Sequence, residues 1–137
     1  MDSTMVNEPA WDELLFFAGE GELLPCYLKL RAEIMALFPK SEVVVHKSQI
    51  SFRCPRPYTW IWTLAKHGSR KAGSPMMLIA FAAPYPVESP LIHARTEPYP
   101  GRWTHHVAVR KAENITPELM KLIQASYAFR NTTTNKG

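Results

Sequence analysis

The sequence predicts an α+β fold with two N-terminal helices, an antiparallel sheet of four or five strands and a C-terminal helix. Apolar residues recur at helical spacing before Pro39, alternate at strand spacing after it, and return to helical spacing beyond Thr116. The predicted strands follow one another without crossover helices, which implies antiparallel pairing. With 137 residues, the chain suits one domain with one core, which we expect to span residues 1–130.

Both N-terminal helices have recognisable start and stop signals. The first, from Asn7 to Ala18, begins with a residue that can cap it and has a proline in its first turn, and two glycines follow it. The second should run from about Leu24 to Phe38 and end at Pro39, which cannot continue a helix. The two glycines between them predict a break in the chain.

The C-terminal helix is predicted from the order of residues at its start. Thr116, Pro117 and Glu118 supply a cap, a first-turn proline and an acidic residue in sequence. The helix should then run to about Phe129. The polar tail NTTTNKG, residues 131–137, is expected to be disordered.

The region after Pro39 predicts the strands. Residues 42–52 form either one long strand or two, 58–65 form a clear strand, and 102–110 form the last one. Residues 76–82 are apolar on both parities, which predicts a central strand. The segment 84–100 carries five prolines, so it cannot be a regular interior strand.

Composition favours a cytoplasmic protein. The longest apolar run, Met76–Ala83, is less than half the roughly 20 residues that a membrane-spanning helix needs. The N-terminal residues are acidic and lack the basic and apolar segments of a secretory signal. Cys26 and Cys54 are too few for a disulfide framework and too isolated for a zinc knuckle, so we interpret them as reduced thiols.

The net charge of +4 is unevenly distributed along the chain. Residues 1–42 hold three basic and eight acidic side chains, whereas residues 43–137 hold thirteen basic and four acidic ones. Such an asymmetry can create a field that attracts anions to one side of a molecule. Acidic helices that simply pack beside a basic sheet would give the same pattern.

The stretch GRWTHH, residues 101–106, combines a glycine, a guanidinium, an indole and two imidazoles at a loop-to-strand junction. Alternation along a strand places Trp103 and His105 on one face and Arg102 and His106 on the other. The adjacent histidines therefore point in opposite directions and cannot easily bind one metal ion together. We expect no metal site and no cofactor.

Two polar stripes could share one face of the sheet. One carries Arg102 and His106, and the other carries Lys47, Gln49 and Arg53. Arginine and lysine at this density suit a carboxylate, a phosphate or a nucleic-acid backbone, although a merely solvated sheet face would also fit.

Two further features have more than one interpretation. Trp60 and Trp62 form either a stacking platform for a flat ligand or a core wedge under a helix. An enzyme in which His105 or His106 acts as a general base and Arg102 stabilises negative charge is a third functional class. No phosphate-binding glycine loop, nucleophile elbow or HExxH sequence accompanies them, and the glycines of residues 67–74 indicate a hairpin connection.

Several motifs in order resemble an uncharacterised bacterial family of domains of unknown function. These are LFP, VVVHKSQISFR, TWIW, GRWTHHV and TPELMKLIQASY, and the similarity covers roughly residues 12–129. Members of that family are sometimes labelled predicted transport proteins, and they look distantly similar to iron-chaperone-like α+β domains. The resemblance implies an α+β fold. No iron-binding role is carried over, because the acidic residues of the N-terminal helices are few and interrupted.

The sequence therefore predicts a cytoplasmic, non-enzymatic binding module. Its basic and aromatic sheet face would hold an anionic small molecule or an acidic segment of a partner protein. The alternative is a nucleic-acid-binding domain that uses the same face. The candidate ligand-binding residues, to which the resemblance also points, are Lys47, Gln49, Arg53, Arg102, Trp103, His105 and His106.

Overall fold

A computed structural model describes residues 8–63 and 76–132 of the chain. Short 3₁₀ turns at Gly21–Leu23 and Ala112–Asn114 precede the second and third α-helices. The elements in chain order are α1 (Trp11–Phe16), α2 (Leu24–Leu37), β1 (Glu42–Val45), β2 (Ile50–Arg53), β3 (Pro57–Thr63), β4 (Met77–Ala83), β5 (Ile92–Tyr99), β6 (Arg102–Val109) and α3 (Pro117–Thr132).

The predicted α+β class is confirmed, but the predicted number of strands is wrong. Six strands form one sheet in the order β1-β2-β3-β4-β6-β5, and every neighbouring pair is antiparallel. Residues 42–53 contribute two strands, because a tight turn at 46–49 joins β1 to β2. Every residue of β4 is buried, as its apolar sequence predicts for an interior strand.

The sixth strand, β5, comes from the proline-rich segment. It lies at the edge of the sheet and is exposed along almost its whole length. An edge strand has one side that needs no hydrogen-bonded neighbour, so Pro98 is tolerated there. Pro100 and Gly101 then form the turn into β6, and Gly101 has the positive φ of 78° that the third position of a type II turn requires.

The N-terminal helices differ in detail from the prediction. The first helix is short and begins at Trp11, not Asn7, which lies outside the described residues. Its buried Glu13 carboxylate accepts hydrogen bonds from the Tyr27 hydroxyl and from Nε of Arg31, the latter at 2.7 Å. Both charges are nearly inaccessible to water, so each one compensates the charge of the other. The ion pair thereby holds α1 against α2.

The helices pack on one side of the sheet, which we call the helix-facing side. Tyr27 of α2 lies 6.4 Å from the Phe52 ring of β2, and α3 buries Leu119 and Ile123 in the same cluster. The strand residues of this cluster follow one parity on each strand, except that Tyr58, near the irregularity where β2 pairs with the start of β3, also belongs to it. They include Ile50, Phe52, Ile61, Met77, Ile79, Phe81, Val107 and Val109.

Helix α3 is joined to the sheet by a buried serine. The Ser126 hydroxyl accepts a hydrogen bond from the Ala82 N–H at 2.8 Å and donates one to the Tyr58 carbonyl at 2.7 Å. These two backbone groups lie one residue beyond the last pair of β3 and β4, Thr59 with Phe81. The helix therefore bridges the two strands where their own pairing ends.

Some predicted segments extend past the described residues. Helix α3 continues to Thr132, beyond the expected end near Phe129, and so includes the first two residues of the predicted tail. The rest of that tail, the end of the predicted strand 58–65 and the predicted hairpin connection at 67–74 lie outside the described residues. No helix within 8–63 or 76–132 is long and apolar enough to cross a membrane.

Candidate functional site

The opposite side of the sheet, which we call the open face, carries the paired tryptophans. Trp60 and Trp62 of β3 are half-buried, and neither belongs to the core cluster or packs against it. Register places Trp60 beside Ala80 of β4 and, one strand further, His106 of β6. Of the two interpretations of these tryptophans, the structure therefore agrees with an accessible aromatic surface and not with a wedge under a helix.

The open face contains a trough above β4. Ala80 and Ala82 of this strand have no exposed surface, so the larger side chains of the neighbouring strands cover them and form the lining. The resulting depression has a volume of about 250 Å³. The residues that line this trough are Gln49, Trp60, Trp62, Arg102 and Thr104.

One end of the trough is closed by two aromatic rings. The Trp62 indole and the His106 imidazole meet diagonally across β4, with 5.3 Å between their centroids. His106 is thus a neighbour of the trough rather than part of its lining. A ligand would have to occupy the remaining part, between Trp60 and the start of β6.

The other end of the trough is cationic. Arg102 is half-buried, and its Nε atom is buried without a hydrogen-bond partner among residues 8–63 and 76–132. Its guanidinium carbon lies 5.8 Å from the centre of the Tyr99 ring, which is a cation–π contact. Arg102 also forms no ion pair with any described carboxylate. A buried donor without a partner is uncommon and calls for an explanation, such as a ligand.

A second arginine reaches this end from the C-terminal helix. Nε of Arg130 donates a hydrogen bond to the Pro57 carbonyl at 2.7 Å, and its guanidinium carbon lies 5.9 Å from the centre of the Trp60 ring. Burial first, and then the nearby positive charges of Arg102 and Arg56, together lower the pKa of Arg130 to about 10. Arg130 is therefore repelled by each of the other two arginines.

The predicted site residues divide into those at the trough and those elsewhere on the sheet. Gln49 and Arg102 line the trough, and His106 closes its end. Lys47 is exposed on the turn between β1 and β2. Arg53 lies at the far end of β2, where it pairs with Glu42 at 3.7 Å.

Trp103 and His105 point to the helix-facing side, as alternation predicted. His105 is fully buried, stacks on Phe81 with 4.8 Å between ring centroids, and accepts a hydrogen bond at Nε2 from the Val87 N–H at 2.9 Å. Burial lowers the pKa of His105 below its usual value of 6.5, while the Phe81 backbone partly opposes that shift. His105 and Arg102 therefore face opposite sides of the sheet, so this pair cannot act on one substrate.

Sequence reasoning missed two residues near the site. Thr104 lines the trough, and Arg130 lies beside Trp60. Arg130 follows the expected end of the C-terminal helix near Phe129, and nothing in the local sequence relates it to β3. The alternating small residues Ala80 and Ala82 were the available signal that larger side chains of β3 and β6 cover β4 on this face.

The thiols and possible metal ligands do not suggest a second centre. Cys26 is buried, and burial raises the pKa of its thiol to about 11, which makes it a poor nucleophile at neutral pH. The Cys54 sulfur lies 3.9 Å from the Tyr127 hydroxyl. In the described ranges, no group of three or more histidine, cysteine, aspartate and glutamate side chains could hold a metal ion.

Fold and site together define a small α+β domain with helices on one side of its sheet and a cationic, aromatic trough on the other. A family model described as "Domain of unknown function (DUF5655)" matches residues 16–130. The chain belongs to this family, which confirms the predicted membership in an uncharacterised family of domains of unknown function. No curated protein and no solved structure matches the chain.

Proposed function

We propose that the protein is a binding module whose open face holds an anionic group, carried by a small molecule or by an acidic segment of a partner protein. The observation that carries this proposal is the state of Arg102. Its buried Nε lacks a partner among the described residues, and Arg102 lines the open trough together with Trp60. An anion at this position would satisfy the donor and compensate the charge.

A nucleic-acid ligand is the second candidate, because two tryptophans on an open sheet face beside arginines suit stacked bases. The distribution of charge favours the first candidate. The cations cluster at one end of the trough, whereas the other end is closed by Trp62 and His106. A nucleic-acid backbone needs several cations spaced along a path, whereas Arg53, a further arginine on this side of the sheet, is already paired with Glu42.

The experiment that tests the proposal is a titration followed by tryptophan fluorescence and by thermal shift. The probes are inorganic phosphate, a short polyglutamate peptide and a single-stranded oligonucleotide, each at low and at moderate salt. We expect saturable binding of phosphate or of the peptide that persists at moderate salt. Arg102→Gln should weaken it at least about tenfold, the usual order for a lost charge-assisted contact.

The matched control is Arg110→Gln, which removes an exposed arginine just beyond the other end of β6. Binding should survive this substitution. Equal losses in both variants would contradict a specific site and indicate general attraction to a basic surface. Binding of the oligonucleotide alone, with a steep loss as salt rises, would replace this proposal with the nucleic-acid alternative.

A further inference from the structure

We infer that the acidic segment held by the trough is helix α1 of a second copy of this chain. The Trp11 indole of one copy would enter the trough of the other beside Trp60, and the adjacent Asp12 carboxylate would accept a hydrogen bond from Nε of Arg102. This inference rests on the proposed function and names the partner of the same site. It follows from an exposed patch on α1, from the charge of that patch and from the size of the trough.

Helix α1 exposes two large apolar side chains on the side that faces away from the core. Trp11 is 73% exposed and Leu15 is 55% exposed, and because they are four residues apart they lie next to each other on the helix surface. The opposite side of the helix is buried through Glu13 and Phe16. We call Trp11, Asp12 and Leu15 the α1 patch. A single exposed apolar side chain is ordinary, whereas a group of them rimmed by polar residues is typical of a contact surface.

The charge of the α1 patch is complementary to that of the trough. Asp12 lies beside Trp11, Glu8 precedes the helix, and both acidic residues are exposed. Within residues 8–63 and 76–132, neither carboxylate forms an ion pair. Arg102 has no ion pair in the same ranges either, and its Nε lacks a partner there. A carboxylate and a guanidinium that meet across an interface form a charge-assisted hydrogen bond and fix the orientation of the two surfaces.

The trough has a size that suits one aromatic side chain. Its volume is about 250 Å³, whereas sites for drug-sized molecules have roughly 300–1,000 Å³. An indole beside Trp60 or Trp62 would gain an aromatic contact, and its N–H could donate to the Gln49 amide oxygen or to the Thr104 hydroxyl. Tryptophan and arginine are enriched among the side chains that carry most of the binding energy of protein interfaces.

The α1 patch and the trough cannot meet within one copy. Helix α1 packs on the helix-facing side, where the Phe17 ring lies 4.9 Å from the Tyr27 ring, which in turn lies 6.4 Å from the Phe52 ring. The trough lies on the open face, so the sheet separates the two surfaces. Their contact therefore requires two copies and joins different surfaces, head to tail. Such an interface leaves one patch and one trough unoccupied at the ends of a dimer, so the assembly grows unless a ring closes.

The first test is sedimentation velocity at protein concentrations from roughly 10 μM to 1 mM. One anchor side chain and its rim bury less surface than the roughly 1,200 Å² of a stable interface, so the association should be weak. We expect the mean mass to rise with concentration. Trp11→Ser and Arg102→Gln should each raise the concentration needed for half-association at least about tenfold. The control is Leu37→Ser, which removes a 39% exposed apolar side chain from the end of α2 and should leave the association unchanged.

A mixture of two variants tests the head-to-tail arrangement. Trp11→Ser keeps an intact trough, and Arg102→Gln keeps an intact α1 patch. Each variant alone should remain monomeric where the unmodified protein associates, whereas an equimolar mixture should form a dimer through one intact contact. This dimer cannot grow, because its ends carry the substituted patch and the substituted trough. Thermal unfolding of each variant verifies that it is folded before the mixture is measured.

The outcomes separate this inference from the proposed function. Association that is lost in both variants and returns as a dimer in their mixture would support the inference. Association of Arg102→Gln alone would indicate contact between two α1 patches, and association that survives Trp11→Ser would exclude the anchor; either result overturns the inference. A protein that stays monomeric up to about 1 mM, yet binds phosphate or polyglutamate through Arg102, would overturn the inference and leave the proposed function intact. A monomer that binds neither probe would overturn both.

Discussion

The two sides of β6 differ in the charge of the polar groups that they bury. On the helix-facing side, His105 is fully buried, stacks on Phe81 and accepts from the Val87 N–H, while its Nδ1 has no partner among the described residues. On the open face, Arg102 is half-buried and its Nε also lacks a described partner. Burial lowers the pKa of His105 and so favours its neutral form, whereas Arg102 keeps its positive charge.

The difference arises from residues that alternate along the same strands. Odd positions of β6, such as Val107 and Val109, lie on the helix-facing side, while even positions, such as Arg102 and Thr104, lie on the open face. A strand can therefore contribute to the core and to a site at once, because successive side chains point to opposite sides. Substitutions at adjacent residues should separate the two roles.

The largest difference is expected between Ile79→Ala and Leu78→Ala, at adjacent positions of β4. Ile79 is fully buried in the core cluster, so its truncation should lower the free energy of unfolding by about 2–5 kcal/mol. Leu78 lies on the open face beside Trp62 and is 7% exposed, so water can reach part of the space that its truncation leaves. Its truncation should cost less than about 2 kcal/mol.

Urea unfolding of both variants measures this difference. If Leu78→Ala destabilised the protein as much as Ile79→Ala, the open face would be packed as tightly as the core. The comparison between the two sides would then fail, and so would the description of the trough as an accessible site.

The second prediction concerns pH and the two adjacent histidines. Because the pKa of His105 is lowered in the folded protein, the unfolded state binds more protons as the pH falls through about 6.5. Stability should therefore be lost between about pH 7.5 and pH 5. His105→Gln should reduce this loss, since its amide oxygen can accept from the Val87 N–H without titrating.

His106→Gln is the control, because it removes the neighbouring imidazole and leaves His105 in place. Urea unfolding at several pH values should give the same pH-dependent loss in this variant as in the unmodified protein. A loss that persisted in His105→Gln and disappeared in His106→Gln would reverse the assignment of the two faces.

The smallest effect is expected from Arg102→Gln on stability. Removal of this charge relieves its repulsion with Arg130, so the free energy of unfolding should be unchanged or raised by less than about 1 kcal/mol. Any gain should diminish as salt screens the charges. Urea unfolding at two salt concentrations tests this expectation, and a clear loss of stability would mean that Arg102 has a structural role.

Much of the fold followed from the sequence, and the differences have physical reasons. The spacing of apolar residues, together with the glycine, proline and capping residues at the ends of the elements, indicated the helices, the central strand and the antiparallel pairing. The split of residues 42–53 depended on a turn at 46–49 without glycine or proline, so local chemistry gave no sign of it. Strand β5 was not predicted because its prolines exclude an interior strand, and only the sheet order shows that it lies at an edge.

The site was predictable only where it depends on alternation within one strand. Parity alone separated Arg102 and His106 from Trp103 and His105, although the predicted ligand-binding face nevertheless included Trp103. The sequence could not show how β2 and β6 are placed relative to each other in the sheet. Lys47 and Arg53 lie away from the trough, because β2 is short and Lys47 belongs to the turn before it. Arg130 is brought to Trp60 by tertiary packing of a helix, which no local pattern reports.

The bridge that Ser126 forms between Tyr58 and Ala82 has a consequence for the rest of α3. Ser126 and Arg130 are separated by four residues, so they lie on the same side of the helix, one turn apart. A helical turn rises about 5.4 Å along the axis. The two hydrogen bonds of the Ser126 hydroxyl therefore fix both the rotation of α3 about its axis and its position along that axis relative to β3 and β4. The reach of a single short side chain thereby determines where a guanidinium arrives on the other side of the sheet.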